Sequence, residues 1–186
     1  IFGGSEPTIT AKTESFNGTN WTEVGDLNNS RQLIAGCGAD NTACLAFGGE
    51  DGDAANYAIT ELWNGSSWSE VADLNTARNN LPGAGTSTSA LGSGGYVQGG
   101  TANVAITESW NGTNWTEVAD LNTARSAARS GGTSNTSVLA FGGFAPPGNQ
   151  SVTEEWNGSS WVEVADLATA RQAFGGAGTT TAALAF

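Results

Sequence analysis

The side chains best placed to do chemistry in this sequence are carboxylates, and they recur at fixed intervals. Glu14, Glu61, Glu108 and Glu154 each stand two residues before an aromatic, and Glu23, Glu70, Glu117 and Glu163 stand two residues after the next one. On a hairpin the two sets face each other, where close carboxylates could share a proton or hold a cation. Separating an acid from a base needs unlike environments, and a fourfold repeat provides none, so the expectation is a solvated outer edge. Asp26, Asp73, Asp120 and Asp166 precede Arg31, Arg78, Arg125 and Arg171 by five residues. This series reads as a structural pair at the turn between units, of small energetic value if exposed. The run Glu50-Asp51-Gly52-Asp53 offers Asp51 and Asp53 as oxygen ligands for Ca²⁺. It falls short of an EF-hand, and a plain solvated loop with no cofactor or metal is the stronger expectation. The sequence contains no His, which removes the usual general base and the commonest transition-metal ligand. No nucleophile–base set can be assembled, and no enzyme is expected.

Charge and composition narrow the classes further. Six basic residues against eighteen acidic ones give a net charge of −12. Nucleic-acid affinity rests on clustered Lys and Arg, so that class of partner is not expected. No apolar run approaches the ~20 residues of a membrane helix, so membrane insertion is not expected either. The absence of an initiator Met suggests a processed chain or a window on a longer one.

The elements that must position these residues come from an internal repeat. FNGTNWTEV at Phe16 returns as WNGSSWSEV at Trp63, WNGTNWTEV at Trp110 and WNGSSWVEV at Trp156. Trp21, Trp68, Trp115 and Trp161 are 47, 47 and 46 residues apart. A double glycine precedes each unit's hairpin, at Gly3-Gly4, Gly48-Gly49, Gly94-Gly95 and Gly142-Gly143. Each unit reads as four short strands, with Asn-Gly marking a tight primed turn between the third and fourth. Glycine interrupts every helical window, which predicts an all-β fold. The paired aromatics share one face of the hairpin and are expected to be core, although such pairs also build sugar-stacking sites.

In period, strand count and punctuation the chain resembles the kelch repeat along its whole length. The matching positions are Phe47-Gly48-Gly49, Trp63, Trp68 and Arg78, and their equivalents in the other units. Where kelch units carry a tyrosine–acid pair at the end of the third strand, this chain has Trp-Asn-Gly or Phe-Asn-Gly. The resemblance implies a single β-propeller domain over residues 1–186, with four kelch-like, four-stranded blades. Phe2, Phe47, Ser93, Phe141 and Phe186 are equivalent positions, so the four periods are circularly shifted with a two-residue overlap. The C-terminus then supplies two strands and the N-terminus two strands of a shared closing blade. A monomeric four-bladed ring is the simplest product, with an eight-bladed dimeric ring open as the alternative. Glycines two apart on the first strand, such as Gly36 and Gly38, favour the smaller ring, since they mark close approach of another backbone.

Cys37 and Cys44 bracket a predicted hairpin turn, which makes them candidates for a cross-strand disulfide. The alternative is that both are small apolar fillers. Divergence between units concentrates in the loops after the double glycines, which carry Tyr57, Tyr96, Phe144, Asp51 and Asp53 outside the repeat pattern. Loops on a rigid scaffold are where binding usually resides. The functional expectation is a non-enzymatic structural or adhesive surface module, extracellular or on a virion appendage. A carbohydrate- or protein-binding, lectin-like propeller is the alternative. In either case a glycan or protein partner would meet the loop face.

Overall fold

The computed structural model describes residues 1–5, 7–53, 55–98 and 102–186, and none of these is helical. The chain begins with a lone hairpin, sheet I, of β1 (Glu14–Phe16) and β2 (Trp21–Glu23). Sheet II follows as β3 (Ala35–Asp40), β4 (Ala43–Phe47), β5 (Thr60–Trp63) and β6 (Trp68–Glu70), antiparallel in that order. Sheet III comprises β7 (Gly83–Thr86), β8 (Ser89–Ser93), β11 (Thr107–Trp110) and β12 (Trp115–Val118). Its second loop folds into a ribbon of β9 (Tyr96–Val97) and β10 (Ala102–Asn103). Sheet IV comprises β13 (Arg129–Ser134), β14 (Ser137–Phe141), β17 (Thr153–Trp156) and β18 (Trp161–Glu163), with a loop ribbon of β15 (Phe144–Ala145) and β16 (Gly148–Asn149). A second lone hairpin, sheet V, closes the chain as β19 (Gly176–Gly178) and β20 (Ala183–Ala185).

The all-β expectation therefore holds, with four-stranded antiparallel sheets as the repeating unit. The Asn-Gly turn differs in form from the expectation. Four residues loop between Trp63 and its partner Trp68, and φ is positive at Gly65 but not at Asn64. The Asn64 carboxamide accepts hydrogen bonds from the Ser66 and Ser67 amides, so the side chain does what a second left-handed residue would do in a primed turn.

Consecutive sheets stack through one recurrent junction. Arg31, Arg78 and Arg125 are fully buried, and each ion-pairs with a fully buried glutamate of the following sheet. The Nη1–Oε1 distances are 2.8 Å to Glu61, 2.6 Å to Glu108 and 2.5 Å to Glu154. The second glutamate oxygen accepts hydrogen bonds at 2.7 Å from both the backbone and side-chain nitrogens of Asn28, Asn75 or Asn122. The arginine's own carbonyl accepts from the second residue of the double glycine, as in Gly49 N to Arg78 O at 3.0 Å. Gly48 and Gly49 adopt φ of 68° and 106°, and a Cβ on Gly48 would stand 2.7 Å from that carbonyl. Only glycine fits this double left-handed step under a neighbouring backbone.

This arrangement corrects two expectations. The arginines pair with glutamates, while Asp26, Asp73, Asp120 and Asp166 accept hydrogen bonds from the amides of Thr13, Thr60, Thr107 and Thr153. Glu61 and Glu70 do pair in register across the hairpin, as expected. Yet Glu61, Glu108 and Glu154 lie in the core, because the junction with the preceding sheet brings an arginine to each of them.

Apolar packing follows the same junction. Trp115 is buried and donates its indole N–H to Thr60 Oγ1 of the preceding sheet at 3.0 Å; Trp68 and Trp161 do likewise to Thr13 and Thr107. Trp63, Trp110 and Trp156 donate to backbone carbonyls of their own sheets. Phe47 lies over Gly83, where a Cβ would come within 2.6 Å of the ring. Gly36 and Gly83 thus make room for a phenylalanine ring of the neighbouring unit. Gly38 and Gly85 lie against the backbone of their partner strands, and Gly131 against the backbone of Gly178 in the next sheet, as expected. The inner edge strands β3, β7, β13 and β19 line one central cavity. Around it Leu33, Asn80, Ala127 and Ala173 all take φ between 51° and 54°. Asn80, Ala127 and Ala173 each donate a backbone hydrogen bond to the previous member of this set.

Sheets I and V, expected to share one closing sheet, stand separately. The reason lies in the two-residue overlap. Ile1 exchanges hydrogen bonds with Glu14, and Phe2 pairs with Thr13, which are the positions Ala185 and Phe186 would take by repeat equivalence. Leu184 and Phe186 are left exposed, and Trp21 is 57% exposed where Trp68 is 6%.

Removing one partner of a buried ion pair leaves an uncompensated charge, a loss of about 3–5 kcal/mol. Arg78→Met and Glu108→Gln should each destabilise by about that much in urea titrations. The double variant should lose clearly less than the sum of the two; strict additivity would show that the pair is not coupled.

Candidate functional site

The variable loops emerge together at the end of the sheets where the first strands begin and the second strands finish. They are bound edge to edge. Asn56 Nδ2 donates to Tyr96 O at 2.7 Å, carrying the second loop onto the third. Asn103 Nδ2 donates to Phe144 O at 2.7 Å, carrying the third onto the fourth. Asn79 Nδ2 adds bonds to Glu50 Oε2 at 2.6 Å and Asn56 Oδ1 at 3.0 Å. The result is a continuous rim held by asparagine carboxamides.

Tyr57, Tyr96 and Phe144 are each half-buried on this rim. The structure brings two of the three together. Tyr96 and Phe144 line a groove of about 490 Å³ with Ala102, Asn103, Ala124, Ala145 and Pro146. Tyr57 lies outside the groove lining, its hydroxyl donating to Asp51 Oδ2 at 3.2 Å. Desolvation and the Asp51 charge raise the Tyr57 pKa above its ordinary value.

Asp51 itself is committed to the loop. Its Oδ1 accepts from the amides of Asp53 and Ala55, at 3.0 and 3.3 Å. Those bonds, the Asp53 amide foremost, hold its carboxyl below the usual carboxylate range. Glu50 spends its oxygens on Gln32 and Asn79. The acidic run thus folds as an Asx-type turn that engages the carboxylates of Glu50 and Asp51, with Asp53 exposed. Among the described residues no group of three or more His, Cys, Asp or Glu is placed to hold a metal ion.

Cys37 and Cys44, the candidates for a disulfide, are unbonded in this structure. A bulge between Gly38 and Asp40 shifts the register, so Cys37 lies opposite Leu45 and Cys44 opposite Gly38. A one-residue offset sends the two side chains to opposite faces of the hairpin. Cys37 Sγ contacts Thr86 O at 3.7 Å, and burial pushes its thiol up to about 12. Cys44 Sγ donates to Asp40 O at 3.0 Å, and burial raises its pKa as well.

The sequence reading missed the rim asparagines, although a signal existed. Asn56, Asn103 and Asn149 each stand four residues before the repeat's buried threonine, Thr60, Thr107 or Thr153. It also passed over Arg129, half-buried in the wall of a cavity beside the central one. No family model matches the chain, and no curated protein matches it either.

Thiolate is the reactive species, so a raised pKa slows alkylation. The denatured, unreduced protein should titrate with two sulfhydryls. In the native protein at pH 8 Cys37 should react far more slowly than Cys44, as followed by mass spectrometry of the labelled peptides. The folded-state pKa of Cys37 lies above the unfolded one, so its contribution to stability is complete below the unfolded value of about 8.5–9. That contribution is lost as pH rises toward about 12. Cys37→Ser should flatten that alkaline decline.

Proposed function

We propose that this chain is a four-bladed, kelch-like β-propeller acting as a non-enzymatic structural or adhesive module, extracellular or on a virion appendage. It meets a glycan or protein partner through its loop face. The groove between Tyr96 and Phe144 is the observation that carries the reading of the loop face. It joins two aromatics from different sheets, both outside the repeat pattern, on a rim fixed by side-chain hydrogen bonds. Tyrosine and phenylalanine give large contact area at small entropic cost, and a preformed rim lowers the cost of ordering loops on binding.

Ring closure is supported by the convergence of β3, β7, β13 and β19 on one cavity, and by the end surfaces themselves. Arg171 lacks the glutamate that its three equivalents have, and exposed Glu14 is the equivalent of those glutamates. Trp21 likewise corresponds to the tryptophans that donate to a threonine of the preceding sheet, and Thr153 is that threonine. With Ile1 and Phe2 paired to Glu14 and Thr13, the closing contact runs through Ala183 and Leu184 against Phe16 and Ser15. Leu45 opposite Leu62 is the model for that register.

Two measurements test this. In a Cys37→Ala/Cys44→Ala background, Ser15→Cys with Leu184→Cys should cross-link within a chain of 18.8 kDa by light scattering. A cross-linked dimer would point to the eight-bladed ring. On a glycan array the module should retain a defined glycan if it is lectin-like, and none if its partner is a protein. Once a partner is in hand, replacing Tyr57, Tyr96 and Phe144 together by Ala should abolish binding with Tm nearly unchanged. Undiminished affinity would remove the loop face from consideration.

A further inference from the structure

Beside the central cavity, and sharing Gly36, Gly83 and Gly176 with it, lies a second cavity of about 210 Å³ at the loop end of the inner strands, walled also by Ile34 and Leu81. Arg129 is the one charged side chain among its lining residues. Its position belongs to Ala35, Pro82 and Gly175 in the other units, so the repeat scaffold does not require a cation there.

Arg129 is also electrostatically unlike the other basic residues around it. Lys12, Arg31, Arg78 and Arg125 each have a carboxylate partner, whereas Arg129 and Arg171 have none among the described residues, and of these two only Arg129 lines the cavity. Desolvation lowers its pKa with no acidic neighbour opposing the shift, whereas a glutamate opposes it at the three junction arginines. Its Nε donates to Phe174 O and its Nη1 to Ala128 O, the latter at 3.0 Å. Those two bonds fix the guanidinium plane. Its remaining N–H groups have no partner among the described residues.

We propose that this second cavity is a binding site for a small carboxylate, recognised by Arg129. A fixed guanidinium is a planar fork that matches a carboxylate in shape and in charge. One positive charge balances a monoanion; a phosphate dianion would remain half uncompensated in a wall of glycine, Ile34 and Leu81. The cavity has room for a compact organic acid of about monosaccharide size, and its accessible wall, mostly backbone with Ser130 and Arg129, is polar enough to meet hydroxyl groups. The net charge of −12 does not preclude this, because exposed charges beyond about 8 Å are largely screened at physiological ionic strength. The cavity is formed by strands already in place, so the site rests neither on ring closure nor on the Tyr96–Phe144 groove.

Glucuronate and acetate serve as probes, with glucose and sodium chloride as controls, read by calorimetry and by phenylglyoxal modification mapped by mass spectrometry. Glucuronate should bind and protect Arg129 from modification, and glucose should do neither. Arg129→Met should weaken glucuronate binding by about tenfold or more, Arg129→Lys should fall between, and Arg171→Met should leave it unchanged. Because Arg129 also ties β13 to the last hairpin, protection in the unsubstituted protein stands as an independent readout. Equal effects of glucose or chloride, protection of Arg171 in place of Arg129, or no binding would each overturn the assignment.

Discussion

A buried arginine–glutamate pair joins sheet I to II, II to III and III to IV, and nearly every repeated feature of the sequence serves it. Arg78 shows the full set of connections. Its carbonyl holds Gly49 of the sheet before, its Nη1 holds Glu108 of the sheet after, and its Nη2 reaches Gly92 O at 3.2 Å. Removing two charges from water costs several kcal/mol per ion, recovered only if the geometry is good and the other polar atoms are satisfied. Here satisfaction is nearly complete: the glutamate accepts from arginine and from both nitrogens of Asn75. The Nε atom of each junction arginine stays unpaired, so an apolar filler would be the cheaper way to occupy the same volume. The pair is better understood as a register device, since a glutamate one strand position away would point to the opposite face.

The consequences of lacking that device are visible at the ends. Glu14 and Arg171 have the residue types but no mutual contact, and the neighbouring aromatics lose their cover. Phe16 and Trp21 keep the mutual packing of their equivalents, with ring centroids 5.1 Å apart against 5.4 Å for Trp63 and Trp68. Exposure is what changes, so the hairpin makes the aromatic pair and the junction buries it. The fourth junction is also poorer in sequence: Ala168 stands where Asn28, Asn75 and Asn122 brace the glutamate. The side chains at these two ends offer fewer hydrogen bonds than those of any internal junction.

What the sequence made legible was whatever depends on short spacing. The repeat period, the four-strand unit, and the facing of Trp63 with Trp68 and Glu61 with Glu70 all follow from period two and a turn signal. What stayed hidden depends on the adjacent sheet. Nothing local separates Glu61 from Glu70; one meets an arginine thirty residues upstream and the other meets solvent. The cysteine register failed for a local reason: the chain turns on two residues, Asn41 and Thr42, between paired Asp40 and Ala43, and the bulge after Gly38 recovers only one of the two positions by which this tighter turn displaces Cys37 from Cys44. Glycine positions were read correctly as close approach, and at Gly131 the approaching group is the backbone of Gly178, but at Gly83 it is the Phe47 ring, from a residue thirty-six positions earlier.

The repeat gives a rule for finding function in this molecule. A residue present in every unit can be explained by a junction, and the structure supplies that explanation for Arg, Glu, Asn, Thr, Trp and both glycines. A residue present in one unit has no such explanation. Tyr96, Phe144 and Arg129 are all of this second kind, and all three lie toward the same end of the sheets. Tyr96 and Phe144 are held there by Asn56 and Asn103, which are themselves repeat residues, so the scaffold fixes the backbone and leaves the side chain free to differ. Arg129 occupies the first residue of β13, where the repeat otherwise has small or apolar residues, and its charge faces a cavity, unpaired with any described carboxylate. A chain with so few basic residues, three of them consumed by junctions, places one where the fold gains no ion pair from it. That asymmetry, set against an otherwise repeated interior, is the strongest physical argument that this end of the molecule is where a ligand is met.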